Sequence, residues 1–519
     1  MRSELYFRKI LYLILITFLA RCILAFTLDL GNDEAYYFTY ALQPDWNHFD
    51  HPPLVGIFIR LFTFNLHWVN DFSMRLPAIL SASVSTWLIF KCGKILKDER
   101  TGWIAAVLYN TSVYASIISG FFILPDSPQS VFWLSGIYFA LKLITGIHSK
   151  KETNTLLILI GITVGLATMC KIHGVFLWFG IIMYMLIYDR SFFKNYFLYI
   201  SLLITCMIIS PILIWNIQNH FVTWRFNSQR VEVRHFAFNT SGFFAALGGQ
   251  IAYNNPVNLI IYALALPGIR KMVHPKGAVR LLKWLSFPII LMVTGISMFR
   301  DVLPHWSGPG FTGLILLGSF VISENVGKPG GLKFKRWIAA AVVLIISFVL
   351  IGVSMVKFYP GTLGSKQVSQ LGSSDVTLDM VGWHQLSRVF NEIRDDELNR
   401  GEASPTDPIL VNKWFPGGHI LLYVAFPSNI RVVGAGDLFD IHKFAWLNRQ
   451  EGYLAKGENA YFITASNNYF DPYVVYKGQF ENIKLLKQFP EYRSGVRVRT
   501  WYVYKLENAL KPLGYILDK

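Results

Sequence analysis

The stretch GNDEAYYFTYALQPDWNHFDHPPL, residues 31–54, holds four acids and two histidines directly after an apolar N-terminal segment. The acids are Asp33, Glu34, Asp45 and Asp50. Ionisable side chains are costly within a bilayer and usually mark functional sites there. An acid-rich stretch next to an apolar segment therefore indicates a loop at a membrane surface.

The composition of the whole chain indicates a membrane protein. Of its 519 residues, 53% are hydrophobic and 15% are charged, whereas charged residues make up about 25% of a typical soluble domain. A bilayer-spanning helix needs roughly 17 to 25 predominantly apolar residues. Such windows predict a multi-pass all-α membrane domain of about 11 transmembrane helices over residues 1–357, with spans near 9–28, 72–90, 103–120, 130–147, 155–170, 175–188, 197–215, 241–268, 284–298, 308–323 and 337–357.

The first span has two interpretations. Arg2, Arg8 and Lys9 precede it, as in a cleavable signal peptide. The apolar run is long and no small-residue cleavage site follows, so we interpret it as a retained membrane anchor.

The net charge of +16 is distributed over alternate loops, which argues against a nucleic-acid-binding surface. Short loops rich in Lys and Arg remain in the cytoplasm. The pattern predicts a cytoplasmic N-terminus and an external C-terminal region, with basic clusters at 91–100, 150–151, 190–194, 270–283 and 328–336.

In this topology the acid-rich stretch is external, together with several short polar segments. Two neighbouring segments are predicted to lie in the outer membrane interface: 34–42, which is aromatic, and 54–70, where Arg60 would be costly in a span. A site at this depth would face a substrate that is itself partly lipid.

From residue 358 the composition becomes mixed and soluble. Residues 358–519 are predicted to form a small extracytoplasmic α/β domain. We expect a linker at 361–375, a helix at 384–396, and strands within 407–415, 429–436, 460–467 and 497–506.

Several motifs together resemble a known family. They are GNDEAYY…WNHFDHPPL, RLPA at 75–78, PDSP at 125–128, SPILIWNIQNHFVTWRFNSQR at 210–230 and HWSGPGF at 305–311. In kind and order they resemble the C-type glycosyltransferases of bacterial envelopes, within the protein-mannosyltransferase-like group that includes the aminoarabinose transferases of lipid A. The resemblance covers the whole membrane part.

This resemblance implies an inverting glycosyltransferase of the cytoplasmic (inner) membrane. The donor would be a polyprenyl-phosphate sugar, and the acceptor lipid A or lipopolysaccharide, another glycolipid or a protein on the outer face. Asp33 matches the family's first-loop acid and is the candidate general base, which would remove the acceptor proton. Glu34 either orients Asp33 or binds an acceptor hydroxyl, although an Asp-Glu pair also suits a helix N-terminus.

The leaving lipid phosphate requires cations or aligned donors. The candidates are His51, Lys171, Arg225, Arg230 and Arg234. The aminoarabinose transferases have a lysine where this chain has His51, so phosphate binding there depends on histidine protonation, or the role shifts to Lys171 or an arginine. A structural hydrogen bond is the alternative for His51.

Further substrate-site candidates are Asp50, Asp126 and His305. Asp126 resembles the family's second external acid, and its alternative role is an N-cap for the following span. No cofactor is required by this chemistry. A divalent metal held by Asp50, His51, His173 and His305 is an open alternative, although no pair of these residues has helical or hairpin spacing.

A polytopic transporter or flippase of lipid-linked saccharides is the rival function. Transporters usually place charged residues at mid-membrane and have repeated halves. In this chain the polar residues gather at one face, and a flippase would not need the acid pair.

Overall fold

The computed structural model describes residues 2–233, 237–271, 275–325 and 331–517. The chain divides into two compact units, one containing residues 1–26 and 45–348 and the other containing residues 27–44 and 349–519. The acid-rich stretch is thus divided between the units, with Asp33 and Glu34 in the second and Asp50 and His51 in the first.

The first unit is helical. Its helices are α1 (Arg2–Thr27), α3 (Leu54–Phe62), α4 (Asp71–Leu96), α5 (Glu99–Thr111), α6 (Asp126–Thr145), α7 (Lys150–Cys170), α8 (Val175–Tyr188), α9 (Tyr196–Gln218), α10 (Val222–Val231), α11 (Thr240–Tyr253), α12 (Pro256–Ala265), α13 (Lys276–Ser297), α14 (Gly308–Asn325) and most of α15 (Gly331–Phe358). In the described part of the chain, seven helices are long and apolar enough to cross a membrane. The prediction of about 11 spans remains a prediction.

Side-chain caps explain where several helices begin. The Asn70 side chain accepts hydrogen bonds from the backbone N–H groups of Phe72 and Ser73 at 3.1 and 2.9 Å, which starts α4. The Asp98 carboxylate accepts from Thr101 N–H at 2.8 Å at the start of α5. Such caps satisfy backbone donors that have no partner within the helix.

Glycine permits close packing of α4 against α5. A Cβ atom added to Gly93 would lie 2.7 Å from the Cα atom of Gly102, closer than carbon atoms can approach without displacement. Small residues allow membrane helices to pack in this way when no hydrophobic effect drives them together.

Two predicted spans are interrupted. The span predicted at 241–268 is the two helices α11 and α12, separated at Asn254 and Asn255. Asn255 has φ of 65°, and its buried amide donates to the carbonyls of Thr111 and Ala341 at 3.0 and 3.1 Å. The span predicted at 103–120 ends as an α-helix at Thr111 and continues with a π-helical turn, Tyr114–Ile118.

The predicted interfacial segments also form short helices. Helix α3 has nine residues, and at 1.5 Å per residue it covers about 14 Å, less than half of a hydrocarbon core. The other segment forms α2 (Asn32–Leu42), which belongs to the second unit.

The second unit contains a five-stranded sheet in the order β2-β1-β3-β5-β4. The strands are β1 (Ile409–Val411), β2 (Val432–Gly434), β3 (Ala460–Ala465), β4 (Phe480–Arg493) and β5 (Val496–Ala509), and the further helices are α16 (Trp383–Asn399), α17 (Trp414–His419), α18 (Leu438–Ile441), α19 (Phe444–Glu451) and α20 (Pro472–Val475). Strand β1 pairs in parallel with β2 and β3, whereas β5 pairs antiparallel with β3 and β4. This confirms the predicted combination of a helical membrane part and a small C-terminal α/β domain.

The predicted linker at 361–375 is held by hydrogen bonds and an ion pair. The Asp375 carboxylate accepts hydrogen bonds from the Thr362 hydroxyl and from Leu363 N–H, both at 2.8 Å. It also forms a buried ion pair of 3.2 Å with Arg493 of β4. The segment connects α15 to α16, as predicted for a linker, and its polar groups are bonded within the protein.

Candidate active site

In the first unit, the loop that carries Asp50 and His51 is docked on helix α10. The Asn47 amide donates to the Thr223 hydroxyl at 2.9 Å, and that hydroxyl donates to the backbone carbonyl of His48 at 2.9 Å. The Asn227 amide donates to the backbone carbonyl of Asp50 at 3.1 Å. These three bonds, two of them to backbone carbonyls of the loop, fix its path next to α10.

A buried ion pair lies at the start of α6. The Lys171 ammonium donates to both carboxylate oxygens of Asp126, at 3.0 and 2.8 Å, and both residues are buried. The Tyr114 hydroxyl donates to the same carboxylate at 3.0 Å. The Gln129 amide fixes the backbone of Lys171 by donating to its carbonyl at 2.8 Å. Lys171 therefore compensates the charge of Asp126.

Among the described residues, three histidines lie within electrostatic range of this ion pair, namely His51, His173 and His305. Burial lowers the pKa of His51 to about 4; Asp50 and Asp126 oppose this shift, and Lys171 and Arg230 add to it. The His51 imidazole is therefore uncharged at neutral pH. It can still donate or accept a hydrogen bond, but it cannot supply a fixed positive charge.

Helix α10 presents its two arginines differently. The Arg230 guanidinium lies over the rings of Phe226 and Trp306, at 5.5 and 5.3 Å from the ring centroids, and it acts electrostatically on His51. The Arg225 side chain is exposed. Five helical positions correspond to a rotation of about 140°, so the two side chains cannot share one face of the helix.

Cation–π contact with two rings leaves the hydrogen-bond donors of Arg230 available. Among the described residues Arg230 forms no ion pair, whereas Lys171 is held by Asp126. Guanidinium groups keep their charge and match phosphate geometry in a bidentate manner. Arg230 is therefore the residue of this cluster best suited to an anionic ligand.

The second unit contains the acid pair at the start of α2. The Glu34 carboxylate is buried and accepts a hydrogen bond from Gly31 N–H at 2.8 Å, so it caps its own helix. Asp33, the preceding residue, has an exposed side chain. The two adjacent acids thus differ in environment, because successive helical positions point about 100° apart.

A further acid from the C-terminal part of the chain lies beside this pair. The Asn32 amide donates to the Asp379 carboxylate at 2.8 Å. Burial raises the pKa of Asp379 to about 6; Asn32 and Arg499 oppose the rise, and Asp375 and Asp33 add to it. The sequence offered no signal for Asp379, since it lies in the segment interpreted as the beginning of the soluble domain.

The predicted residues are thus placed in two groups. The first unit brings together Asp50, His51, Asp126, Lys171, Arg230 and His305. Asp33 and Glu34 belong to the second unit. Arg225 points away from Arg230, and Arg234 lies outside the described residues.

One alternative for Asp126 is wrong. Helix α6 begins at Asp126 without a side-chain cap, because the carboxylate binds Lys171 and Tyr114 instead. Tyr114 and Trp306 are site residues that the sequence analysis did not single out as such. Tyr114 could not have been found, because an isolated tyrosine in an apolar segment carries no specific signal.

The metal alternative stays a prediction. The proposed ligands Asp50, His51, His173 and His305 share their surroundings with Lys171 and Arg230. Lys171 is paired with Asp126, and Arg230 forms no ion pair among the described residues, so the charge of Arg230 favours an anion over a divalent cation at this place. The first unit therefore has the chemistry to hold a phosphate through one arginine, with uncharged imidazoles as additional hydrogen-bond donors.

The chain is similar to known proteins in sequence and in fold. A family model described as dolichyl-phosphate-mannose-protein mannosyltransferase matches residues 50–215, a range that contains His51, Asp126 and Lys171 but begins after Asp33. Lipid A galacturonosyltransferase RgtD of Rhizobium johnstonii is 24% identical over 314 residues. That similarity spans 59% of this chain and 63% of the length of RgtD.

Two crystal structures of ArnT from Cupriavidus metallidurans share the fold. The apo structure gives a TM-score of 0.63 at 12% identity, and the structure bound to undecaprenyl phosphate gives 0.61 at 14% identity. Each comparison covers 95% of this chain and 97% of ArnT. The chain therefore has the fold of ArnT. Together with the family-model match and the similarity to RgtD, this fold confirms the resemblance predicted from the motifs.

Proposed function

We propose that the protein is a membrane glycosyltransferase that transfers a sugar from a polyprenyl-phosphate donor to a hydroxyl group of an envelope acceptor. The observation that carries this proposal is the match to ArnT over nearly the full length of both chains, because ArnT has been solved with undecaprenyl phosphate bound. Lipid A is the first acceptor to test, since RgtD is a lipid A galacturonosyltransferase.

Arg230 binds the donor phosphate in this proposal. Its guanidinium is fixed by Phe226 and Trp306 and is not compensated by an ion pair among the described residues. His51 contributes a hydrogen bond rather than a charge, because its pKa is lowered to about 4. Positive charge held in place before the reaction stabilises the phosphate as it leaves.

Asp33 acts as the general base. It removes the proton of the acceptor hydroxyl while that oxygen forms a bond to the anomeric carbon of the sugar. The bond between the anomeric carbon and the phosphate oxygen breaks, and the lipid phosphate leaves with the electron pair. A single displacement of this kind inverts the configuration at the anomeric carbon.

The reaction is placed on the outer face of the cytoplasmic membrane. The alternating basic loops support this orientation, because Lys- and Arg-rich loops remain in the cytoplasm. The N-terminus is then cytoplasmic, and residues 358–519 are extracytoplasmic.

The test uses the purified full-length protein in proteoliposomes with lipid A as acceptor. Undecaprenyl phosphate carrying radiolabelled galacturonic acid, aminoarabinose or mannose is supplied as donor, with protein-free liposomes as the control. We expect label to appear in lipid A with one of these donors. Movement of an intact donor across sealed vesicles without any labelled product would contradict the proposal and support the flippase alternative.

A further inference from the structure

The residue before the proposed base, Asn32, is held in one orientation by a carboxylate. Its amide nitrogen lies 2.8 Å from the Asp379 carboxylate. A carboxylate only accepts hydrogen bonds, whereas an amide has a donor end and an acceptor end. The nitrogen of Asn32 must therefore face Asp379, and the carbonyl oxygen must point away from it.

Asp379 is in turn fixed by the C-terminal sheet. The carbonyl of Asp379 accepts a hydrogen bond from the Trp383 indole at 2.8 Å. Arg499 of β5 donates to the carbonyl of Leu378 at 3.0 Å and forms a buried ion pair of 2.6 Å with Glu491 of β4. Two paired strands thus hold the turn that contains Asp379 against the first turn of α2.

The carbonyl oxygen of Asn32 is buried and has no hydrogen-bond partner among the described residues. A buried polar atom without a partner destabilises the protein, because it has given up its hydrogen bonds to water. The atom belongs to the residue next to Asp33 and can only accept a hydrogen bond. The group that would satisfy it is therefore a donor, such as the hydroxyl of a ligand.

We propose that Asn32 binds a hydroxyl of the acceptor substrate through its carbonyl oxygen, and that Asp379 is the positioning residue that turns this oxygen toward the substrate. This inference rests on the proposed function. It gives the C-terminal domain a part in acceptor recognition, because Asp379 and the strands that fix it belong to that domain.

The charge of Asp379 sets the orientation of the amide. Its neighbours are Asn32 and Asp33 from α2, Arg499 from β5 and Asp375 from its own segment. The pKa of Asp379 is raised to about 6, so the carboxylate predominates above that pH. Below it, a protonated Asp379 can donate to the Asn32 oxygen, and the amide is no longer obliged to present that oxygen to a substrate.

The experiment measures sugar transfer by the full-length protein with varied acceptor and varied donor. We expect Asp379→Asn and Asn32→Ala each to lower kcat/KM for the acceptor about 3- to 10-fold, the size of one hydrogen bond, and to leave the KM for the donor unchanged. In the double variant the two losses should not add, because Asp379 acts through Asn32. The wild-type acceptor kcat/KM should fall as the pH drops through about 6, and Asp379→Asn should lack this dependence.

Asp407→Asn is the matched control. Asp407 is a buried acid of the same domain with a raised pKa, and it accepts a hydrogen bond from Ser404 N–H at 2.9 Å. We expect this variant to transfer sugar like the wild type.

The inference would be overturned if the losses in acceptor kcat/KM added in the double variant, or if the donor KM rose by the same factor. It would also be overturned if Asp407→Asn lost as much acceptor kcat/KM as Asp379→Asn. Normal acceptor kinetics in a folded Asp379→Asn protein would also overturn it. If the wild type transfers no sugar, the proposed function fails instead, so the two failures can be told apart.

Discussion

The sequence analysis predicted that His51 contacts a phosphate, and the charge state of His51 decides which kind of contact it can make. An exposed imidazole would gain a proton near pH 6.5. In this protein burial lowers the pKa of His51 to about 4. The positive charge expected from sequence therefore cannot come from this residue at neutral pH.

This predicts that donor binding is insensitive to pH in the range where an ordinary histidine titrates. A depressed pKa means that His51 gains its charge only as the pH falls through about 4. The KM for the polyprenyl-phosphate donor should therefore stay constant between about pH 5.5 and pH 8, and His51→Gln should show the same flat profile. The prediction would be contradicted if the donor KM of the wild type rose tenfold above pH 6.5 while that of His51→Gln stayed constant.

The geometry of helix α10 distinguishes two candidate phosphate-binding arginines that the sequence alone could not distinguish. The motif WRFNSQR offers Arg225 and Arg230, and only their positions around the helix separate them. Arg230 stacks on Phe226 and Trp306. Arg225 is exposed, so it serves as a natural control.

We expect Arg230→Ala to raise the donor KM about 10- to 100-fold, because a hydrogen bond to a charged group contributes about 1.5–3 kcal/mol. Arg225→Ala should leave the donor KM within about twofold, as for a surface substitution. Steady-state kinetics with varied donor at saturating acceptor measures both. If the two substitutions raised the donor KM equally, the assignment of Arg230 to the phosphate site would be contradicted.

Elements with strong periodic signals were predictable, and irregular ones were not. The helix expected at 384–396 lies within α16. Three predicted strand segments contain β1, β2 and β3, and the fourth lies within β5. Strand β4 was missed because it lies at the edge of the sheet, where its lysines and Pro490 are typical of edge protection and break the alternation of apolar and polar residues. The break between α11 and α12 was missed because buried asparagines satisfy the interrupted backbone.

At the level of the whole molecule, the sequence predicted the class of fold, and the division into residues 1–357 and 358–519 stays a prediction. Composition and basic loops indicated a helical membrane part followed by a soluble domain. Residues 27–44 group with the C-terminal part of the chain because of long-range contacts such as the one between Asn32 and Asp379. Contacts between residues hundreds of positions apart leave no pattern in a single sequence.

The orientation of the whole chain gives a separate prediction. Reporter fusions after Lys151, Lys194 and Lys283 should be cytoplasmic, and a fusion after Pro360 should be external, because basic loops remain inside. An alkaline phosphatase reporter, active only outside, and a fluorescent protein reporter, active only inside, check each position. A cytoplasmic C-terminal domain would put Asp33 and Asp379 on the wrong side for an envelope acceptor.

The most direct test of the account is sugar transfer by the purified Asp33→Asn protein, compared with the wild type and with Glu34→Gln. General-base catalysis contributes about 10²–10⁴-fold, so Asp33→Asn should lose at least about 100-fold in kcat while it keeps its thermal stability and its affinity for the donor. Glu34→Gln should lose less, because Glu34 caps α2 by accepting from Gly31. Transfer by Asp33→Asn at close to the wild-type rate would contradict the central claim.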